Sequence, residues 1–129
     1  MYLLIKNSIN LDNIFVFNNK KYNFYKIFYN LEYIKLIGIT INIKIDHFIS
    51  NNNLYYIYIN DKYTLKLLKD IEDNLKTKIP IFTLIRYINN EKYIICKNIH
   101  NKIINENIYI YLNKIKYING YYVPIINII

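Results

Sequence analysis

The chain has 129 residues, 53 % of them hydrophobic, and carries 17 Lys and Arg against nine Asp and Glu, for a formal charge of +8 and a pI near 9.4. That length builds one domain, residues 1–129, whose core needs neither disulfides nor a structural metal. No run approaches the ~18 to 20 apolar residues of a membrane-spanning helix. The single cysteine closes no intramolecular disulfide, and the amino terminus lacks the basic region and cleavage site of a signal peptide, so the expected setting is intracellular and reducing, with no membrane partner.

The charge comes almost wholly from lysine, with Arg86 the only arginine, while Trp is absent and there are 16 tyrosines. Asn, Ile, Lys and Tyr have A/T-rich codons, so the basicity and the tyrosines partly record an AT-rich genome: a large DNA virus, an organelle, or an AT-rich parasite or bacterium. Basic charge ordinarily argues for an anionic partner through counterion release. Here it carries weight only where position adds to it.

In chain order, Ile14 to Phe17 reads as a strand, and Tyr22 to Tyr29 as a strand or a helix. Ile37 to Asp46 places Ile at every odd position and polar residues at the even ones from Thr40, predicting a strand with one buried and one wet face. Leu54 to Asn60 is its expected hairpin partner across Ser50-Asn51-Asn52-Asn53. Asp61 to Lys76 has the helical period, with Leu67, Leu68, Ile71 and Leu75 on one side, Asn60 or Asp61 as cap and Pro80 as stop. Strands are expected at Ile81 to Ile88 and Lys92 to Lys97 across Asn89-Asn90, then an irregular stretch from Asn98 to Asn107. A final hairpin, Ile108 to Ile118 and Tyr121 to Ile128, turns at Asn119-Gly120, the pairing that suits a type I′ turn.

The fold class is therefore mostly β with one helix (α+β). A helix between the third and fourth strands of a five-stranded meander suggests an OB-like antiparallel barrel. Its first three strands would be Tyr22 to Tyr29, Leu31 to Asp46 and Leu54 to Asn60, its last two the pair after Pro80, and the terminal hairpin an added C-terminal element.

Catalytic machinery is not legible. His47 and His100 stand in no ligand spacing, so no metal or cofactor is expected. Asp46 and His47, as neighbours on a strand, should point to opposite faces and not pair. With only Gly38 and Gly120 no phosphate-cradling loop can form. Asp70, Glu72 and Asp73 beside Lys66, Lys69 and Lys76 read as solvated helix ion pairs. Cys96 lies in an apolar run and reads as a small buried hydrophobe. The chain is expected not to be an enzyme.

What remains is lysine interleaved with aromatics on strands, which suits stacked bases and tracked phosphates. The candidate nucleic-acid-binding residues are Asn42, Lys44, Tyr56 and Tyr58 as outward-facing positions, Arg86 as a stacking or phosphate-forking group, and Tyr109, Tyr111, Lys114 and Lys116 on the last hairpin. Strict alternation puts Tyr109, Tyr111 and Tyr117 on one face of that hairpin and Lys114 and Lys116 on the other.

Three stretches carry a resemblance: Ile37-Gly38-Ile39 entering a long strand, Tyr63 to Glu72 opening the helix, and Ile108 to Leu112 followed by Tyr121 to Ile125. From Leu31 to the carboxyl terminus the chain resembles the single-stranded-DNA-binding proteins of large DNA viruses, although it lacks their Trp near the end and long acidic tail. The resemblance implies an OB-type domain coating displaced strands without sequence preference, DNA ahead of RNA. The competing expectation is a small structural or assembly subunit, a divergent organelle ribosomal protein or a viral component. Under either reading the apolar Ile125 to Ile129 is expected to pair with a second copy as an exposed edge strand.

Overall fold

The computed structural model describes residues 4–5, 10–30, 33–97 and 106–129. His100, Leu31 and most of the irregular 98–107 stretch lie outside the described residues. The described residues form eleven strands and one helix, mostly β in the α+β class: β1 (Leu4–Ile5), β2 (Ile14–Asn19), β3 (Phe24–Asn30), β4 (Lys35–Ile37), β5 (Ile39–Lys44), β6 (His47–Asn51), β7 (Leu54–Ile59), α1 (Lys62–Lys76), β8 (Arg86–Ile88), β9 (Glu91–Lys97), β10 (Asn107–Ile118) and β11 (Tyr121–Ile128). A 3-10 turn, Leu11–Asn13, leads into β2.

All strands join one mixed sheet whose main path runs β1-β5-β10-β11-β9-β7-β6, with the β2-β3 hairpin and β4 attached through β3 to β10, and β8 to β9. Most pairs are antiparallel; β1 with β5 and β11 with β9 are parallel. Only Ile45 and Asp46 separate β5 from β6, and there the backbone changes partners: Ile45 N–H donates to Glu106 O at 2.7 Å and Asp46 N–H to Tyr58 O at 2.9 Å. One bent segment thus joins two strands that stand toward opposite ends of the path. That core gathers Ile39, Ile41, Ile43 and Ile45 with Ile57, Ile59, Ile94, Cys96, Ile108, Ile110, Leu112, Ile126 and Ile128.

The ladders do not draw the OB-like layout expected from the sequence. The terminal hairpin is no addition: β10 lies at the centre, pairing with β11, β5 and β3. Apart from the Asp46 bond to Tyr58, residues 37–46 do not pair with 54–60, because the chain bends at Asp46 and it is β6 that meets β7. The expected edge at Ile125 to Ile129 is occupied as well, since β11 pairs with β10 along its length and with β9 through Asn127 and Lys97, and Ile126 and Ile128 are buried. The stated reason for pairing with a second copy there is removed.

The helix forms where its period placed it, and Asp61 is the cap that does so, its carboxylate accepting from Thr64 N and Thr64 Oγ1, both at 2.9 Å. Those bonds hold the Asp61 carboxyl below its ordinary pKa. Leu68, Ile71 and Leu75 are buried against the core, and so is Glu72. The Glu72 carboxylate accepts from the backbone N–H of Leu84 and Ile85, each at 2.8 Å, and from Lys69 and Lys76. It is 2 % exposed, so the solvated ion pair expected there is instead a buried anchor. The same bonds explain why the strand expected at Ile81 to Ile88 shrinks to Arg86–Ile88. Glu72 takes N–H groups a ladder would need, and Ile81 adopts φ 52°.

Candidate nucleic-acid interface

Along β10 the register shifts between Leu112 and Lys114, a β-bulge that lets one extra residue pass. Leu112 and Ile115 both point into the core. Lys114 and Lys116 therefore share the outer face with Tyr109 and Tyr111, contrary to strict alternation. Tyr117 turns the other way, its ring 5.1 Å from Tyr122, which stands edge-on to buried Tyr25 at 5.2 Å.

Beyond the bulge β10 pairs with β3, setting Lys114 opposite Lys26 and Lys116 opposite Phe24. Next along β3 come Phe28, facing Phe15 of β2 and Ile37 of β4, and Asn30, facing Lys35. Lys114 Nζ lies 4.2 Å from the centroid of Phe24, and Lys35 Nζ 4.4 Å from that of Phe28. Phe17, opposite Lys26, is 58 % exposed. The outer face of β2, β3, β4 and the second half of β10 is a field of lysine and phenylalanine, and none of its described residues is a carboxylate. Like charges directly opposite on adjacent strands destabilise a sheet. Lys26 and Lys114 are such a pair.

Four more candidates continue this face: Tyr109 and Tyr111 on β10, opposite Asn42 and Thr40 of β5, then Lys44. Lys44 and Tyr109 are exposed; Tyr111 is half-buried and its hydroxyl donates to Ile37 O. Asn42 does not stand free as expected. Its Oδ1 and Thr40 Oγ1 are buried with no hydrogen-bond partner among the described residues. The expected wet face of this strand is wet only at its end: Thr40 is buried, Asn42 half-buried and Lys44 exposed.

Tyr56 and Tyr58 stand on β7 and Arg86 on β8, strands that pair with β9 and not with β3 or β10, although Arg86 lines a cleft with Ile118 and Tyr121 at the end of the β10-β11 hairpin. Tyr58 and Tyr93 are register partners with ring centroids 5.4 Å apart, Tyr56 is 6.2 Å from Tyr93, and Arg86 of β8 is paired with Tyr93. The His47 ring lies flat on Tyr58, 4.4 Å between centroids and 5° between planes. Its Nδ1 meets Asp46 Oδ2 at 2.8 Å. This corrects the expectation that Asp46 and His47 could not pair: Asp46 sits on the bend between β5 and β6, where strand alternation does not apply.

Sequence reasoning missed Lys26, Lys35 and the phenylalanines, as well as Tyr93. The signal at β3 was Phe24-x-Lys26-x-Phe28, hidden because the alternate positions Tyr25, Ile27 and Tyr29 are apolar too. Among the described residues no group of three or more His, Cys, Asp or Glu could hold a metal ion, and no helix is long and apolar enough to cross a membrane. Cys96 is buried, and desolvation pushes its thiol pKa far up. Against protein-family models, curated proteins and solved structures, no match to this chain was found.

Proposed function

We propose that the chain binds single-stranded nucleic acid on the outer face of β3 and β10, with phosphates on Lys26, Lys35, Lys114 and Lys116 and bases against the neighbouring rings. The observation that carries this reading is the direct opposition of half-buried Lys26 and Lys114 on a face without a described carboxylate. An anion between them relieves a repulsion that the fold otherwise bears. Codon bias accounts for the number of lysines; it does not account for two of them facing each other. Exposed rings supply a sequence-tolerant surface, worth ~1 to 3 kcal/mol per stacked base. We place this activity inside the cell, a setting supported by the single buried cysteine.

The second reading, an assembly subunit, is favoured by one feature. Among the described residues β2 pairs only with β3 and leaves Phe15 and Phe17 exposed beside an edge that no described strand occupies. One measurement separates the two: fluorescence anisotropy of a labelled single-stranded oligonucleotide as salt is raised. Binding that weakens steeply with salt and is largely lost in Lys114→Glu with Lys116→Glu is expected. Salt-indifferent binding, or none at low salt, transfers the face to the assembly reading.

A further inference from the structure

The bend between β5 and β6 builds something the proposed interface does not use. Asp46 is acceptor-only when ionised, so its 2.8 Å bond to His47 fixes the proton on Nδ1 and leaves the Nε2 lone pair available. Tyr58 fixes the ring plane from beneath by flat stacking. An imidazole oriented by a carboxylate is the arrangement of a general base. His47 and Asp46 line a cleft of about 230 Å³ that also contains Lys92, Glu91 and Asn60. Beyond Tyr58, whose face the His47 ring covers, Tyr93 and Tyr56 continue across β7 and β9 as rings against which a base can stack.

We infer that this cleft cleaves single-stranded RNA by internal transesterification. His47 Nε2 takes the proton of a ribose 2′-hydroxyl, and the 2′-oxygen forms a bond to the adjacent phosphorus. The P–O5′ bond breaks, giving a 2′,3′-cyclic phosphate, and the departing 5′-oxygen is protonated from water or Lys92. No oxidant, reductant or further reactant enters. Lys92, the cation in the cleft, offsets charge gathering on the phosphoryl oxygens. Asp46 is a positioning residue. The inference rests on the proposed function for its substrate class alone, since none of Lys26, Lys35, Lys114 and Lys116 lines the cleft.

The test uses the full chain with chelator present, an end-labelled single-stranded RNA, and the DNA oligonucleotide of the same sequence. RNA cut to cyclic-phosphate products with DNA left whole is expected. His47→Ala should lower the rate by a factor of about 100 or more, and free imidazole should restore part of the activity in His47→Gly, which a merely structural role for His47 would not allow. RNA left whole, or cut equally fast by His47→Ala, overturns the inference. Salt-dependent retention of the DNA oligonucleotide, measured in the same samples, tells the two readings apart. DNA retained with RNA whole sinks only the cleavage; His47-dependent cleavage with no DNA retained upholds it and sinks the lysine face.

Discussion

Glu72 shows what one buried carboxylate can hold. Desolvation pushes its pKa up, but the N–H groups of Ile85 and Leu84, with Lys69 and Lys76, outweigh it and keep the carboxyl below its ordinary value. A carboxyl held low in the folded state adds stability that is complete above its unfolded pKa and is lost as pH falls through the folded one. The urea midpoint of the wild-type chain should therefore drop below about pH 4.3, with this part of the drop missing in Glu72→Gln. At neutral pH Glu72→Ala should cost about 3 kcal/mol, because two backbone donors lose a charged acceptor. Gly38 is a second sensitive position. At φ 80° its added Cβ would stand 2.6 Å from the Tyr111 ring and 2.8 Å from Asn113, whereas at Gly120, φ 86°, it would meet nothing within 4 Å. Thermal unfolding should rank Gly38→Ala well below Gly120→Ala, by about 2 kcal/mol against about 1 kcal/mol for the backbone alone. Lys26→Gln carries the sharpest forecast for function: relief of the Lys114 repulsion should raise stability by a few tenths of a kcal/mol while oligonucleotide affinity falls. Affinity unchanged in that variant would remove the pair from the interface.

At the level of elements, the bulge in β10 decides which side chains can serve together. Asn113 is the residue passed over in the pairing with β11. Its deletion restores strict alternation and leaves Leu112 and Ile115 inward with Lys114 and Lys116 outward, the same facing that the bulge now gives. Cooperative unfolding in urea should therefore persist in the deletion as in Asn113→Ala; its loss in the deletion alone would mean that Ile115 has turned out of the core. No compositional signal marks such a site, since Leu112-Asn113-Lys114 reads like any other stretch of strand. The bend at Asp46 was equally silent, as a change of ladder partner depends on β10 and β7, distant in the chain. Local features were legible: the α1 period with its Asp61 cap, and the turns at Asn52-Asn53, Asn89-Asn90 and Asn119-Gly120, where every residue has positive φ. So were the buried isoleucines of β5. Of the nine candidate residues, Tyr109, Tyr111, Lys114 and Lys116 do share a face, though for a reason alternation denied. The pairing that makes that face distinctive, Lys26 against Lys114, joins strands from opposite ends of the chain.

For the whole molecule, the separation of charge matters more than the total. The acids Asp70, Glu72 and Asp73 are bound up with helix lysines, while among the described residues no carboxylate pairs with Lys26, Lys35, Lys114 or Lys116. If Lys26, Lys35, Lys114 and Lys116 each meet a phosphate, the slope of log K against log salt should be about −3, or about 50-fold weaker binding between about 50 and 200 mM salt. Each lysine removed from the face should flatten the slope by about 0.7, and a lysine removed from α1 should leave it unchanged. A slope untouched by changes on the face would mean that the charge acts diffusely over the surface.

The central place of β10 also sets the order of events at the ribosome. β3 and β5 are translated long before the strand that pairs with both, and until residues 107–118 emerge each keeps an unsatisfied row of backbone groups. Pairing across such a span is slow, and bare edges invite foreign strands in the interval. The nascent chain is thus exposed to aggregation through most of its synthesis, and release lacking its last two strands would leave it with no state in which those edges are closed.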